Sequence, residues 1–85
     1  MANILYTKQG IKERLRARRR EGKISQSALA ERSGVSLGSI KRFEDSGEIS
    51  LSSLLRIAAI LGYETDFDKL FERKNYQSLE EVIRA

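Results

Sequence analysis

Three serine–glycine pairs divide most of the chain into short segments of similar length. In each pair the glycine follows the serine by nine to twelve residues: Ser25 and Gly34, Ser36 and Gly47, Ser50 and Gly62. A serine hydroxyl accepts a hydrogen bond from a free N–H group in the first turn of a helix, and glycine readily adopts the left-handed conformation that ends one. The chain contains no proline, and no run of four or more residues shows the alternating pattern of a strand. The sequence therefore predicts an all-α fold.

The predicted architecture is a compact bundle of about five short helices. They are expected over residues 7–21, 25–32, 36–45, 50–61 and a short stretch from 65. Thr7 is the expected N-cap of the first helix.

The expected organisation is one domain with a short extension at each end. Residues 1–7 are predicted to form an N-terminal arm, 8–72 the domain and 73–85 a C-terminal extension. A serine-led cap box at 78–81 predicts a last helical stub within that extension.

The fourth predicted helix carries two sets of apolar residues. A core stripe recurs at helical spacing and consists of Leu51, Leu54, Leu55, Ala58 and Leu61. Ile57 and Ile60 fall outside it and form a second apolar edge, which either the C-terminal segment covers or a second subunit contacts. From the short fifth helix, Phe67, Leu70 and Phe71 are expected to point inward.

Composition excludes several classes of function. The 85 residues include no cysteine and no histidine, so a disulfide framework, a thiolate nucleophile and an imidazole base or metal ligand are absent. No glycine-rich phosphate loop, apolar span or secretory leader is visible. We therefore expect a cytoplasmic protein that is not an enzyme, with no cofactor, no metal and no membrane contact.

The basic residues are concentrated in the first half of the chain. Residues 1–42 hold eleven basic and three acidic side chains, whereas residues 43–85 hold five basic and nine acidic ones. Such an asymmetric chain presents its basic half to a polyanion.

Residues 25–45 have the pattern of two short helices that cross at a steep angle. Ala30 supplies the small residue that a close helix crossing needs, and Gly34 supplies a turn residue that tolerates positive φ. Val35 and Ile40 then fill the angle between the helices. Each feature is common alone, but together, between two serine caps and beside a basic helix, they form a specific signal.

This pattern resembles the helix-turn-helix family of the lambda-repressor/Cro type, often called XRE-like, over about residues 8–72. The similarity rests on Leu15 with Arg19, Ser25-Gln26, Leu29-Ala30, Gly34-Val35-Ser36, Phe43-Glu44, Ser50-Leu51, Leu54-Leu55 and Leu61-Gly62. Residues 43–51 and 67–71 look most like small HipB-like antitoxins, which pair with a HipA-like kinase toxin and repress their own operon.

The resemblance implies a DNA-binding repressor that acts as a homodimer on a palindromic double-stranded operator, with a toxin protein as a further partner for antitoxin-type members. The helix after Ser36 would lie in the major groove and expose the implied base-reading residues Leu37, Gly38, Ser39 and Arg42. Implied phosphate contacts are Ser25, Gln26, Arg20, Lys23, Arg32 and Lys41, with Arg16 and Arg18 as further candidates. Arg19 and Glu44 match positions that commonly pair, and the suggested dimer or partner surface consists of Ile57, Ile60 and Phe71.

Two positions depart from the family pattern. Leu37 and Gly38 stand where hydrogen-bonding side chains are common, so base readout is expected to be sparse and DNA shape to contribute more. Arg18 stands where an apolar residue is common, and either adds to the basic face or extends along the core edge.

Two alternatives come from other classes of protein. A protein-interaction module on the same scaffold would not read DNA; Leu37 and Gly38 favour it slightly and the basic first half disfavours it. A membrane-surface helix over residues 14–20 is disfavoured because its apolar face is too small.

Overall fold

The computed structural model describes residues 3–74, which fold into four α-helices and one short 3-10 helix. The α-helices are α1 (Ile4–Glu21), α2 (Gln26–Ser33), α3 (Leu37–Ser46) and α4 (Leu51–Leu61), and the 3-10 helix spans Glu64–Phe67. The all-α prediction is confirmed, with four α-helices in place of about five. The helical stub predicted after 78–81 lies outside the described residues.

The serine–glycine pairs bound three of the helices as predicted. The hydroxyls of Ser25, Ser36 and Ser50 accept hydrogen bonds of 3.0, 3.1 and 3.1 Å from the N–H group three residues later. Gly34, Gly47 and Gly62 end the same helices with φ of +77°, +81° and +88°. These local rules therefore place α2, α3 and α4 to within about one residue.

The start of α1 differs from the prediction. The N-cap is Asn3, whose Oδ1 accepts from the N–H of Leu5 at 2.8 Å, and not Thr7. Residues 4–7 therefore belong to the helix and do not form an arm. Asparagine caps a helix at least as well as threonine, so Asn3 can start the helix one turn before the predicted cap.

The core forms where α2, α3 and α4 meet beneath α1. Its buried side chains are Leu29, Val35, Ile40, Phe43 and Ile57. Partly buried side chains pack against this cluster from α1 (Ile11 and Leu15) and from α4 (Leu54 and Leu61).

The buried face of α4 is rotated from the predicted stripe. Ile57 is completely buried, whereas Leu51 is 64% exposed and Leu55 is also exposed. Leu54, Ile57, Ala58 and Leu61 have the same i, i+3, i+4, i+7 spacing as the predicted set, so the pattern alone does not distinguish the two faces. Because Ile57 belongs to the core, its assignment to a dimer or partner surface is wrong; Ile60 lies at the exposed edge.

The segment after α4 buries less than expected. Phe67 is half-buried, but Leu70 and Phe71 are 59% and 99% exposed. The inward orientation predicted for these two residues is wrong because the chain continues in turns, with φ of +62° at Phe71, and no continuous helix gives them a common face.

Candidate nucleic-acid interface

The turn between α2 and α3 depends on the backbone conformation of Gly34. Its N–H donates to the carbonyl oxygen of Ala30 at 3.0 Å, which closes α2, and its φ is +77°. A Cβ atom at this position would meet nothing within 4 Å, so glycine is needed for its conformation and not for space. The chain then enters the core at Val35 and begins α3 at the Ser36 cap.

The side chains predicted to fill the angle between the two helices do so. Leu29, Val35, Ile40 and Phe43 are all buried, and Ala30 packs against them at the edge. This packing holds α2 and α3 as one unit with the remaining face of α3 directed outward.

The ion pair expected between Arg19 and Glu44 joins α1 to α3. Arg19 Nε donates to Glu44 Oε2 at 2.6 Å and Nη2 donates to Oε1 at 2.8 Å. Arg19 Nη1 also donates to the carbonyl oxygen of Ile24 at 2.9 Å, and Gln26 Nε2 donates to Glu44 Oε1 at 3.1 Å. Both members of the pair are buried, so these hydrogen bonds compensate for their lost hydration.

The surroundings of Glu44 keep its carboxylate ionised. Burial on its own would raise the pKa of Glu44. Hydrogen bonds from Arg19 and Gln26, together with the charges of Arg19 and Arg16, outweigh burial and lower the pKa of Glu44 below its ordinary value of 4.5. At neutral pH a negative charge thus lies inside the fold and is matched by cations from α1.

The basic residues divide into engaged and unengaged sets. Arg16 contacts Glu44, with Nε 3.6 Å from Oε1, and Arg18 pairs with Glu21 at 2.6 Å, so these two further phosphate candidates are engaged within the fold. Among residues 3–74, five exposed basic side chains near α2 and α3 make no hydrogen bond or ion pair: Arg20, Lys23, Arg32, Lys41 and Arg42. These are the charges that a phosphate backbone can neutralise.

An open groove of about 540 Å³ runs between the start of α2 and α3. Its lining residues are Arg16, Arg19, Arg20, Ser25, Gln26, Lys41, Glu44 and Asp45. Ser25 Oγ is occupied as the cap of α2, and the side chain of Gln26 is held by Glu44. The main-chain N–H groups in the first turn of α2 precede its first internal hydrogen bond, and this end of a helix attracts anions. The groove therefore joins four of the six predicted phosphate contacts, whereas Lys23 and Arg32 lie outside it.

The outward face of α3 carries the predicted base-reading residues. Leu37 is half-buried, Gly38 is exposed with open space around it, and Ser39 accepts a hydrogen bond from the Ser36 hydroxyl at 2.8 Å. Arg42 is exposed and borders a second groove of about 300 Å³ beside the start of α4. Lys41 and Arg42 thus border different grooves on either side of this face.

Two basic residues of α1 have contacts that the sequence analysis missed. Lys8 pairs with Glu48, and Lys12 Nζ donates to the carbonyl oxygen of Asp45 at 2.5 Å. The available signal was their spacing, because Lys8, Lys12 and Arg16 are four residues apart and therefore share one helix face.

Comparison with known proteins gives one match. A family model described as helix-turn-helix matches residues 15–67, which is more than half of the chain. The searches of curated proteins and of solved structures found no match to this chain. Within residues 3–74, no helix is long and apolar enough to cross a membrane, and no group of three or more acidic, histidine or cysteine side chains is arranged to hold a metal ion.

Proposed function

The chain belongs to the helix-turn-helix family of the lambda-repressor (XRE) type and is a DNA-binding regulator, and from this premise we propose that it recognises a specific double-stranded DNA site and represses transcription there. The observation that carries the proposal is the division of its basic residues. Those of α1 that face α3 are engaged with its oxygens. Within residues 3–74, Arg20, Lys23, Arg32, Lys41 and Arg42 are exposed and make no hydrogen bond or ion pair, although the charge of Arg42 helps to lower the pKa of Glu48.

In the proposed complex α3 lies in the major groove. Its N-terminal residues approach the base edges, as is usual for the second helix of this motif. Arg42 is the best candidate for direct readout because a guanidinium group can donate two hydrogen bonds to the O6 and N7 atoms of guanine. Leu37 offers an apolar contact to a thymine methyl group, and Gly38 offers close approach of the backbone. Readout through few side chains leaves a larger share of specificity to DNA shape.

Phosphate contacts would fix the register of the protein on the duplex. The first turn of α2, with Ser25 and Gln26, lies in the same groove as Arg20 and Lys41 and suits one phosphate group. Lys23 and Arg32 extend the positive surface beyond that groove. These contacts contribute affinity and salt dependence but no sequence preference.

We propose that the protein acts as a homodimer on a palindromic operator. Exposed apolar side chains on and after α4 support this arrangement, among them Leu51, Leu55, Ile60, Tyr63 and Phe71. A symmetric dimer would place two α3 helices about 34–36 Å apart, one helical turn of DNA. The same surface is our candidate for a toxin partner, if the chain is an autoregulating antitoxin. A footprint of a single half-site, with only monomer in sedimentation at micromolar concentration, would contradict the dimer.

The first experiment selects duplexes from a random pool with the wild-type protein and then compares Arg42→Ala with Lys41→Ala. We expect Arg42→Ala to lower the preference for the selected duplex over a random duplex by about 1–3 kcal/mol, because it removes a base contact. Lys41→Ala should weaken both duplexes alike, since a phosphate contact carries no sequence information. The readout is affinity measured by fluorescence anisotropy for both duplexes. Equal losses for both duplexes in Arg42→Ala would contradict its role.

A second candidate is a protein-interaction module that keeps the scaffold without reading DNA sequence. Leu37 and Gly38 favour it, because neither side chain can donate or accept a hydrogen bond in the major groove. A gel-shift with the selected and random duplexes at physiological salt separates the two functions. The absence of any preference would favour the interaction module.

A further inference from the structure

One face of α1 carries a stripe of four basic residues directed at the C-terminal end of α3. The α1 basic stripe consists of Lys8, Lys12, Arg16 and Arg19, at steps of four, four and three residues. Residues at this spacing lie above one another on a helix. Their exposure falls along the stripe, from half-buried Lys8 to buried Arg19.

Each member of the stripe binds an oxygen at or just beyond the last turn of α3. Lys12 Nζ donates to the main-chain oxygen of Asp45 at 2.5 Å, and Arg16 Nη2 donates to the main-chain oxygen of Glu44. Lys8 pairs with the carboxylate of Glu48, and Arg19 binds the carboxylate of Glu44.

The contacts of Lys12 and Arg16 satisfy carbonyl groups that a helix cannot satisfy itself. The last carbonyl oxygens of an α-helix have no internal N–H partner. At the end of α3, the oxygen of Phe43 accepts from the N–H of Gly47 at 2.8 Å. The next two carbonyl oxygens, of Glu44 and Asp45, accept from side chains of α1.

The charges at this end of α3 explain why cations are needed there. The C-terminus of a helix is its negative end, where basic residues stabilise and acidic residues destabilise. The last turn of α3 contains no basic residue and does contain Glu44 and Asp45. The α1 basic stripe therefore supplies from a neighbouring helix the positive charge that α3 lacks.

We propose that Lys12 and Arg16 are positioning residues that set the orientation in which α3 is presented to DNA. This inference rests on the proposed sequence-specific DNA binding. The held carbonyl groups lie about seven residues, or roughly 10 Å, from the end of α3 that carries Gly38. A small rotation about the held end therefore displaces the base-reading end.

Positioning residues differ from ordinary phosphate ligands in their effect on the salt dependence of binding. A basic side chain that binds a protein oxygen releases no counterions when DNA binds, so its removal leaves the salt dependence of binding unchanged. A basic side chain that binds a phosphate contributes about 0.9 to the slope of log affinity against log salt.

The test is Lys12→Met, which keeps the aliphatic stem and removes the donor. Its matched control is Arg14→Met, because Arg14 is exposed on the same helix and makes no hydrogen bond or ion pair among residues 3–74. The probes are a duplex selected by the wild-type protein and a random duplex of equal length, each titrated at several salt concentrations. Since both affinities come from the same sample, any unfolded fraction cancels in their ratio, and thermal unfolding of each variant is recorded separately.

We expect Lys12→Met to lower the preference for the selected duplex by at least about threefold, because a displaced α3 weakens its base contacts. The salt slope should stay at the wild-type value. Lys12→Arg should restore the preference, as arginine can also donate to the Asp45 oxygen, and Arg14→Met should leave the preference unchanged.

Three results would overturn the proposal. An unchanged preference in Lys12→Met would show that the contact does not position α3. Equal weakening of both duplexes, with a slope reduced by about 0.9, would make Lys12 a phosphate ligand. A wild-type protein without preference for any duplex would remove the proposed function itself, an outcome distinct from the other two because it appears before any substitution is made.

Discussion

At the scale of single residues, the carboxylate of Glu44 in α3 contacts side chains of both α1 and α2. It binds Arg19 through both oxygens, accepts from Gln26 and lies near Arg16. A buried ion pair need not add stability relative to apolar residues, but removing one member leaves the other charge unmatched. Glu44 therefore links α1, α2 and α3, and its removal would leave the Arg19 guanidinium buried without a counter-charge.

Glu44→Gln should destabilise the protein by about 3–5 kcal/mol at pH 7, because the buried Arg19 guanidinium loses its counter-charge. The loss should diminish in acid. Folding lowers the pKa of Glu44, so its stabilising contribution is complete above the ordinary value of 4.5 and is lost as the pH falls through the lower pKa of the folded state. Urea unfolding from pH 7 to pH 3 should show the free energies of unfolding of wild type and variant converging as the pH falls.

Glu48→Gln is the matched control for this prediction. Glu48 also pairs with a basic residue of α1, and Lys8 lowers its pKa, but the side chains of Lys8 and Glu48 are 39% and 50% exposed to water. Exposed pairs contribute little because water screens them. Two results would contradict the role of Glu44 as a buried, ionised partner of Arg19. One is a loss of stability in Glu48→Gln as large as that in Glu44→Gln, and the other is a loss in Glu44→Gln that does not change with pH.

The residue-scale predictions from sequence succeeded where a local rule decides the outcome. Ser25, Ser36 and Ser50 are caps because a hydroxyl can reach an N–H group three residues later whatever the rest of the chain does. The predicted start of α1 was wrong because Asn3 and Thr7 are both residue types that cap helices, and the cap is Asn3. The contacts of Lys12 were missed because they join residues 33 positions apart, and no local pattern encodes that pairing.

At the scale of elements, α1 approaches the end of α3 so closely that a side chain at Gly47 would contact α1. Gly47 adopts φ +81°, and a Cβ atom there would lie 3.1 Å from Lys8 Cβ and 3.4 Å from the Lys8 carbonyl oxygen. Gly34 has nearly the same φ, +77°, with nothing within 4 Å of a Cβ atom. Replacing Gly34 would therefore cause backbone strain alone, whereas replacing Gly47 would cause the same strain together with crowding against α1.

Gly34→Ala should cost about 1–2 kcal/mol, the strain of a left-handed conformation with a Cβ atom. Gly47→Ala should cost more, because the same strain is joined by contact with the backbone of α1. Urea unfolding of both variants gives the comparison. Equal losses in the two variants would mean that α1 moves away from the turn without cost, and would weaken the view that α1 holds this end of α3 tightly.

The orientation of α4 shows where element-scale prediction stops. Two faces of this helix, one containing Leu51 and Leu55 and the other Ile57, satisfy the same spacing rule. In the structure the face that contains Ile57 is buried, because Ile57 packs with Leu29 and Phe43 in the core. That choice depends on tertiary packing, so the sequence predicted the helix but not which apolar residues remain exposed.

At the scale of the whole molecule, the basic residues divide into those that bind oxygens within the fold and those that stay exposed, and neighbours in sequence such as Arg19 and Arg20 fall into different groups. Composition and charge asymmetry indicated that the first half of the chain binds a polyanion. They did not reveal which basic side chains form hydrogen bonds or ion pairs within the fold. The structure assigns Arg16 and Arg19 to internal contacts and leaves Arg20 and Lys41 unpaired along one groove. Of the phosphate candidates named from the sequence, Arg16 and Arg18 are engaged within the fold, because their partners depend on tertiary contacts. For Arg20, Lys23, Arg32 and Lys41, contact with DNA stays a prediction.

The number of unpaired charges predicts the salt dependence of DNA binding. With Arg20, Lys23, Arg32 and Lys41 on phosphates and Arg42 on a base, the slope of log affinity against log salt should be about −3 to −4 per subunit. Arg20→Gln should make it less negative by about 0.9. Anisotropy titrations over several salt concentrations provide the slope. A value shallower than about −1.8 per subunit would mean that fewer than two of the four phosphate candidates reach the backbone.

The unpaired cations of this surface are arginine and lysine only, and the chain has no histidine or cysteine. Histidine is the side chain whose ordinary charge change falls between pH 5 and pH 8, and this chain has none to serve as such a sensor. Occupancy of a DNA site by this protein would instead respond to an osmotic upshift, because a higher ion content around the duplex weakens every phosphate contact.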